Sequence, residues 1–207
     1  MKKAVIFDMD GTLVDSSLTI ANAINRVREK LSLPPMDEKE ILDKVNDPTL
    51  NPARYFYESE DFTPEHEAWF SEYYTNHHEK ELRLYEGIAQ LLERLKERGF
   101  KLALATNAYR NSTLQSLEHL NLTDIFDAVV CFDDVKRGKP NPAMLLKIVE
   151  DLNVSKEEAI FVGDGERDLL AAKAAGIDYI MVNWGFSEYT DNVIETIDAL
   201  EEAILKA

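Results

Sequence analysis

Five short apolar runs, each too brief for a helix and each ending at a polar residue or running on into one, constrain this chain more than any other feature. They read AVIF (4–7), KLALAT (101–106), AVVCF (128–132), AIFVGD (159–164) and YIMVN (179–183). Near-continuous apolarity over four to six residues is what a strand needs when helices cover both faces of its sheet. Helical patterns fill the intervals. Ile88, Leu91, Leu92 and Leu95 recur at helical spacing before a Gly99 stop. Ser112 is placed to cap a weaker helix with Leu114, Leu117 and Leu120, and Asn141 with Pro142 opens one carrying Met144, Leu145, Ile148, Val149 and Leu152. Leu169, Leu170 and the following alanines lead to a Gly176 stop, and a final helix over 193–206 aligns Ile194, Ile197, Leu200 and Ile204. Strand alternating with helix predicts an α/β fold, a doubly wound, Rossmann-like and mostly parallel sheet with right-handed crossovers.

The stretch 16–82 differs in character, because it contains no strand pattern. Ile20, Ile24, Val27 and Leu31 mark one amphipathic helix, Asp37 with Glu40 forms a capping box for a second, and Thr63 before Pro64 opens a third that carries Trp69, Phe70, Tyr73 and Tyr74. Between the last two, NDPTLNPARYF (46–56) reads as irregular. The expected organisation is therefore an α/β core built from 1–15 and 83–207, with a helical insert over 16–82 following the first strand.

Charge narrows the partners. The 207 residues carry 39 acidic against 23 basic side chains, a formal net charge of −16. Such a chain repels phosphate backbones and anionic membrane surfaces, so neither nucleic acid nor membrane is expected, whereas a divalent cation is. No apolar run approaches the ~20 residues of a membrane span. The one cysteine, Cys131, sits in an apolar run and is expected to be a buried thiol. The expected setting is cytoplasmic, as a monomer or small homo-oligomer.

In open α/β sheets, ligands bind beyond the carboxyl ends of the strands. That rule gathers Asp8 at the end of the first strand, Thr106 at the end of KLALAT, Lys139 after AVVCF and Asp164 at the end of AIFVGD, with Asp10 and Asp168 close behind. Carboxylates crowded on one edge raise one another's pKa unless something positive lies among them. A hard cation with oxygen ligands, most simply Mg²⁺, meets that need and leaves room for a substrate phosphate. Asp8 and Asp164 must then lie within reach of one ion, closer than about 8 Å.

These residues resemble a known family. DMDGTLVDS (8–16) is similar to the first motif of the haloacid dehalogenase superfamily of phosphatases, and Thr106–Asn107 to its second. KRGKPNP around Lys139 is similar to its third, and GDGERD with AAKAAGI behind it to its fourth, all in the family's order. The resemblance is to the phosphatase type with a small helical cap, like that of phosphoglycolate phosphatases. It implies an Mg²⁺-dependent enzyme in which Asp8 attacks phosphorus to give an aspartyl-phosphate. Asp10 serves as acid and then base, and Thr106, Asn107 and Lys139 hold the phosphoryl group. It also implies metal ligands from Asp8, the Asp10 backbone carbonyl and Asp164, with Asp168 as a further ligand or just behind them. The insert matches the family's cap in position and size, and the implied substrate is a small phosphorylated metabolite. The cap loop KVNDPTLNPARY lacks the glycine such caps often carry, so the resemblance does not name the metabolite.

Plainer readings compete at single residues. Asp8 and Asp10 before Gly11 form a turn in many chains, Asp168 favours a helix N-terminus wherever it binds, and Lys139 alone would be a solvated lysine. His66, His77 and His78 read as a solvated helix face, since no cysteine or paired acid completes a ligand set. Arg54 and Tyr55 are candidate substrate contacts in the insert. Two other functions share the features. A sugar-phosphate mutase of the same fold uses both aspartates but usually has a glutamate where this chain has Gly163. A phospho-aspartate receiver domain would hold its phosphoryl group without turnover.

Overall fold

The computed structural model describes residues 2–45, 47, 49–184 and 192–207, and within them every side chain except those of His78 and Glu79. The chain divides into two compact units, 1–15 with 83–207, and 16–82.

The first unit is the α/β one. In chain order it contains β1 (Ala4–Phe7) and β2 (Val14–Asp15); the second unit then contributes α1 (Ser17–Lys30), α2 (Glu38–Val45), α3 (Pro52–Tyr57) and α4 (Pro64–Glu81). The first unit resumes with β3 (Arg83–Leu84), α5 (Ile88–Glu97), β4 (Lys101–Ala105), α6 (Arg110–His119), β5 (Ala128–Val130) and α7 (Ala143–Asp151). It closes with β6 (Ala159–Gly163), α8 (Glu166–Ala175), β7 (Asp178–Val182), β8 (Val193–Ile194) and α9 (Ile197–Lys206). Six strands form one parallel sheet in the order β5-β4-β1-β6-β7-β8. Chain order runs outward from β1 to β5 on one side and from β6 to β8 on the other, so direction reverses between β1 and β6, where a doubly wound sheet opens a crevice.

Alternation along each strand divides the core. Ala4, Ile6, Ala103, Ala105, Ala159 and Phe161 face the apolar stripes of α7 and α8, among them Met144, Leu145, Ile148, Ala171 and Ala175. All of these are fully or almost fully withdrawn from water. Alanines on the strands and on α8 let the helices approach closely, and Ile6, Phe161 and the larger side chains of α7 fill the space between. Cys131 is buried, and burial pushes its thiol pKa up, as a structural cysteine requires.

Several boundaries depart from the sequence reading, each for a physical reason. Residues 193–194 pair with β7 as β8, so the last helix starts at Ile197, where the Thr196 hydroxyl accepts from the Ala199 N–H at 3.3 Å. Helix α6 starts at Arg110, and Ser112 lies inside its first turn, its hydroxyl donating back to the Tyr109 carbonyl at 2.9 Å. The strand AVVCF stops at Val130, and Phe132–Asp134 form a single 3₁₀ turn. Two further strands were not foreseen. β2 and β3 pair antiparallel where the chain leaves the α/β unit and re-enters it.

The second unit is helical, and its described residues contain no strand. Ala21, Ile24 and Val27 of α1, Ile41 of α2 and Phe56 and Tyr57 of α3 form its core, with Trp69 and Phe70 of α4 packed against it. Residues 52–56, read as irregular, lie in helix α3. Asn51 caps it, its side chain accepting from the Arg54 N–H at 3.1 Å, and Pro52 takes the first position. Asp37 accepts from the Glu40 N–H, but the Glu40 carboxylate turns to the Tyr55 hydroxyl at 2.8 Å instead of closing the box. His66 is not on a solvated face. It is 5 % exposed, with its ring against Tyr57 and Trp69 and Nδ1 accepting from the Thr63 N–H. His77 stacks on Tyr73, while the side chain of His78 lies outside the described residues.

Candidate active site

The residues that follow β1 and β6 meet at the strand reversal. Asp8 extends the β1 ladder by one bond, its N–H donating to the Val162 carbonyl at 2.9 Å, so its side chain starts from a fixed point on the sheet edge. The chain then folds into a tight turn in which Leu13 and Val14 both donate to the Met9 carbonyl at 3.0 Å and Gly11 donates to Val14 at 2.9 Å. Asp10 lies in this turn. Asp164 follows β6 directly, and Asp168 sits in the first turn of α8. One carboxylate oxygen from each of Asp8, Asp164 and Asp168 lies within 4.8 Å of the others, well inside the reach of a shared ion.

The positive partner is Lys139. Its ammonium is 2.5 Å from Asp8 Oδ1 and 2.7 Å from Asp168 Oδ1, and all three groups are buried. Phe161 lies beneath it at 5.4 Å from the ring centre. Burial works against the lysine's charge, yet the Asp168 and Asp8 carboxylates outweigh it and hold its pKa above the ordinary value. Burial also raises the Asp8 pKa well above the usual carboxylate range. Lys139 opposes that rise, while the charges of Asp168, Asp164 and Asp10 add to it. Asp164 is pushed up to about 7, first by burial and then by Asp168, against the opposing effects of Lys139 and the Thr12 hydroxyl, which donates to Oδ1 at 3.2 Å. One ammonium among three carboxylates leaves this centre short of positive charge.

That shortfall is the observation against which a cation is tested, and the donor set fits one. Hard oxygen ligands converge from separate segments, and two of them bear raised pKa values that a divalent ion would bring down.

Gly11 is fixed in identity by this crowding. Its φ of +81° lies in the left-handed region, and a Cβ there would stand 2.3 Å from Asp164 Oδ2. Gly11→Ala is expected to cost about 1 to 2 kcal/mol from backbone conformation alone. It should also weaken divalent-cation binding about tenfold by displacing Asp164. Urea unfolding and a cation titration of the variant check both; an unchanged protein would contradict the packing described.

The other predicted residues divide. Thr106, at the end of β4, is buried, and its Oγ1 accepts from the Ala108 N–H at 3.0 Å, leaving its own proton to donate. Asn107 does not present a free amide: it bonds the backbone of Lys139 at both ends. Arg54 lies in α3 of the helical unit, with its guanidinium paired to Glu60, and Tyr55 is bonded to Glu40. Two residues were missed. Thr12 holds Asp164, and Trp184 donates its indole N–H to the Thr12 carbonyl at 2.9 Å with its ring 5.9 Å from that of Tyr85. Trp184 directly follows the run YIMVN, so the same strand-end rule that found Asp164 pointed to it.

Comparison with known proteins places the chain in a family. A family model described as haloacid dehalogenase-like hydrolase matches residues 5–182. The chain is 32 % identical over 186 residues to a protein named pyrophosphatase PpaX of Halalkalibacterium halodurans, covering 87 % of this chain and 83 % of that one. It is 31 % identical over 194 residues to a phosphoglycolate phosphatase of Aquifex aeolicus, covering 92 % and 89 %. Among solved structures, a predicted phosphatase from Clostridium acetobutylicum superposes with a TM-score of 0.86 at 28 % identity over the full length of both chains. With the parallel sheet, these findings establish that the chain belongs to the haloacid dehalogenase-like hydrolases and is an enzyme of their phosphatase kind.

Proposed function

We propose that the protein is an Mg²⁺-dependent phosphatase of small phosphorylated metabolites, acting through an aspartyl-phosphate on Asp8. The observation that carries this reading is the meeting of Asp8, Asp164 and Asp168 within 4.8 Å, with Lys139 bonded to the first and last. Two relatives are named for phosphoglycolate and pyrophosphate, and a small phosphorylated metabolite is the class common to both.

In this reading an Asp8 carboxylate oxygen attacks phosphorus as the bond to the leaving oxygen breaks, and Asp10 supplies the proton that oxygen takes up. Asp10 then removes a proton from the water that hydrolyses the aspartyl-phosphate, returning both aspartates to their starting state. Thr106 Oγ1 donates to a phosphoryl oxygen, and the Lys139 ammonium offsets charge between Asp8 and the incoming phosphate. Asp8, the Asp10 carbonyl and Asp164 would hold Mg²⁺, with Asp168 beside them; when bound, the ion supplies positive charge to the phosphoryl oxygens. The helical unit 16–82 takes the part of the cap and selects the leaving group.

The test is release of inorganic phosphate from a panel of phosphomonoesters and pyrophosphate, with Mg²⁺ and with chelator. Many phosphates released per protein, abolished by chelation, is the expected result. A single stoichiometric phosphorylation that persists would instead identify a receiver-type switch, and transfer between positions of a sugar phosphate would identify a mutase.

Binding of the cation should depend on pH in a defined window. Without metal the folded protein holds a proton on Asp164 up to about pH 7, whereas an unfolded aspartate releases it near the ordinary value of about 4. The folded state thus binds the extra proton between those values, and metal-free stability falls as pH rises through the window. Mg²⁺ must displace that proton, so its affinity rises with pH through this window. Calorimetric titration near pH 6 in two buffers of different ionisation enthalpy should detect the released proton; a flat affinity from pH 5.5 to 8 would contradict the assignment.

A further inference from the structure

We propose that Asn107 is a positioning residue that fixes Lys139 between Asp8 and Asp168, and that it does not bind substrate. Its Nδ2 donates to the Lys139 carbonyl at 3.0 Å, and its Oδ1 accepts from the Lys139 N–H at 2.8 Å. One side-chain amide therefore grips both polar groups of one backbone residue, as a neighbouring strand would. The grip joins two segments that are 32 residues apart. Thr106 and Asn107 lie at the end of β4, which the sheet holds rigidly, whereas Lys139 lies in a loop between β5 and α7. The amide transfers the rigidity of the sheet to that loop.

Precision matters here because the Lys139 ammonium makes two short ion pairs at once, 2.5 Å to Asp8 and 2.7 Å to Asp168. A shift of about 1 Å in its backbone would break one of them, and misplacements of that size are worth up to about a hundredfold in rate. The preceding residue supports the same conclusion. A Cβ on Gly138 would stand 2.5 Å from Asn107 Oδ1 and 2.8 Å from the Phe132 ring, so only glycine leaves room for the amide at this place. With Oδ1 and one Nδ2 hydrogen engaged, only the second Nδ2 hydrogen is left for a phosphoryl oxygen, whereas the Thr106 hydroxyl keeps its proton to donate.

The kinetic part of the test rests on the phosphatase reading and the structural part does not, so the two fail separately. In a crystal structure of Asn107→Ala, Lys139 Nζ is expected more than 4 Å from Asp8 or from Asp168. Both ion pairs surviving unchanged would overturn the proposal. With the best phosphomonoester of the wild-type panel, kcat should fall about 10- to 100-fold while KM stays within about twofold. A KM raised tenfold at unchanged kcat would mark Asn107 as a substrate contact and also overturn it. Asn107→Asp keeps the acceptor and the volume but loses the donor, so it should fold even where the alanine variant does not and show the same split between kcat and KM. Loss of both ion pairs in wild-type enzyme that turns over normally would count equally against the clamp.

Discussion

Asp8→Asn is expected to abolish turnover while leaving the fold intact. An amide oxygen is a poor nucleophile, and groups that act as the attacking atom lose about 10⁴-fold or more in kcat when neutralised. The same change removes one negative charge from a buried group already crowded by Asp168, Asp164 and Asp10, so the metal-free protein should unfold no earlier than wild type. Lost function with retained or raised stability separates a reactive group from a structural one. Phosphate release and thermal unfolding of the purified variant, both without added metal and with Mg²⁺, decide the matter. Activity within about tenfold of wild type would remove Asp8 from the reaction.

Lys139→Met should be the most destabilising substitution in the site. It replaces the one ammonium bonded to Asp8 and Asp168 with a side chain of similar length and no charge, leaving two buried carboxylates without it. Removing one partner from a buried ion pair costs about 3 to 5 kcal/mol. The loss should be smaller at pH 5 than at pH 8, since the raised pKa of Asp8 lets it protonate in the acid range, and Mg²⁺ should recover part of it. Activity falls as well, because charge on the transferring phosphoryl group loses its fixed counter-ion. Lys139→Arg is not expected to rescue, as a planar guanidinium does not fit a point-charge position between two buried oxygens. Denaturant unfolding at both pH values checks this. A cost under about 1 kcal/mol would mean that the ammonium is not holding the carboxylates together.

What could be read from residues alone follows from the range over which each signal acts. Strand ends were legible because five apolar runs stop at defined positions, and one topological rule then placed Asp8, Thr106 and Asp164 on a common edge. Short elements were not. β2, β3 and β8 have two residues each, too few for any period to emerge, and Val193 and Ile194 fell in phase with the helix behind them. Helix α3 carries the same Asn-Pro opening that marked the start of α7, yet its six residues show no repeat, so the cap was overlooked. His66 looked exposed because its burial depends on Tyr57 and Trp69, residues from an adjacent helix and from its own. The bonds that tie distant segments together leave no mark in the linear pattern. Thr12 to Asp164, Trp184 to Thr12 and Asn107 to Lys139 are of this kind, and the first and last support residues that the pattern did reveal.

The central claim is that carboxylates from separate strands share one divalent cation at the place where the sheet reverses direction. Anomalous diffraction from crystals soaked in Mn²⁺ tests it most directly, since the manganese takes the same oxygen ligands and can be located by its own scattering. A single strong peak within about 2.5 Å of an Asp8 oxygen and an Asp164 oxygen is the predicted result. An absent peak, or one lying elsewhere while the same metal sustains activity, would contradict it.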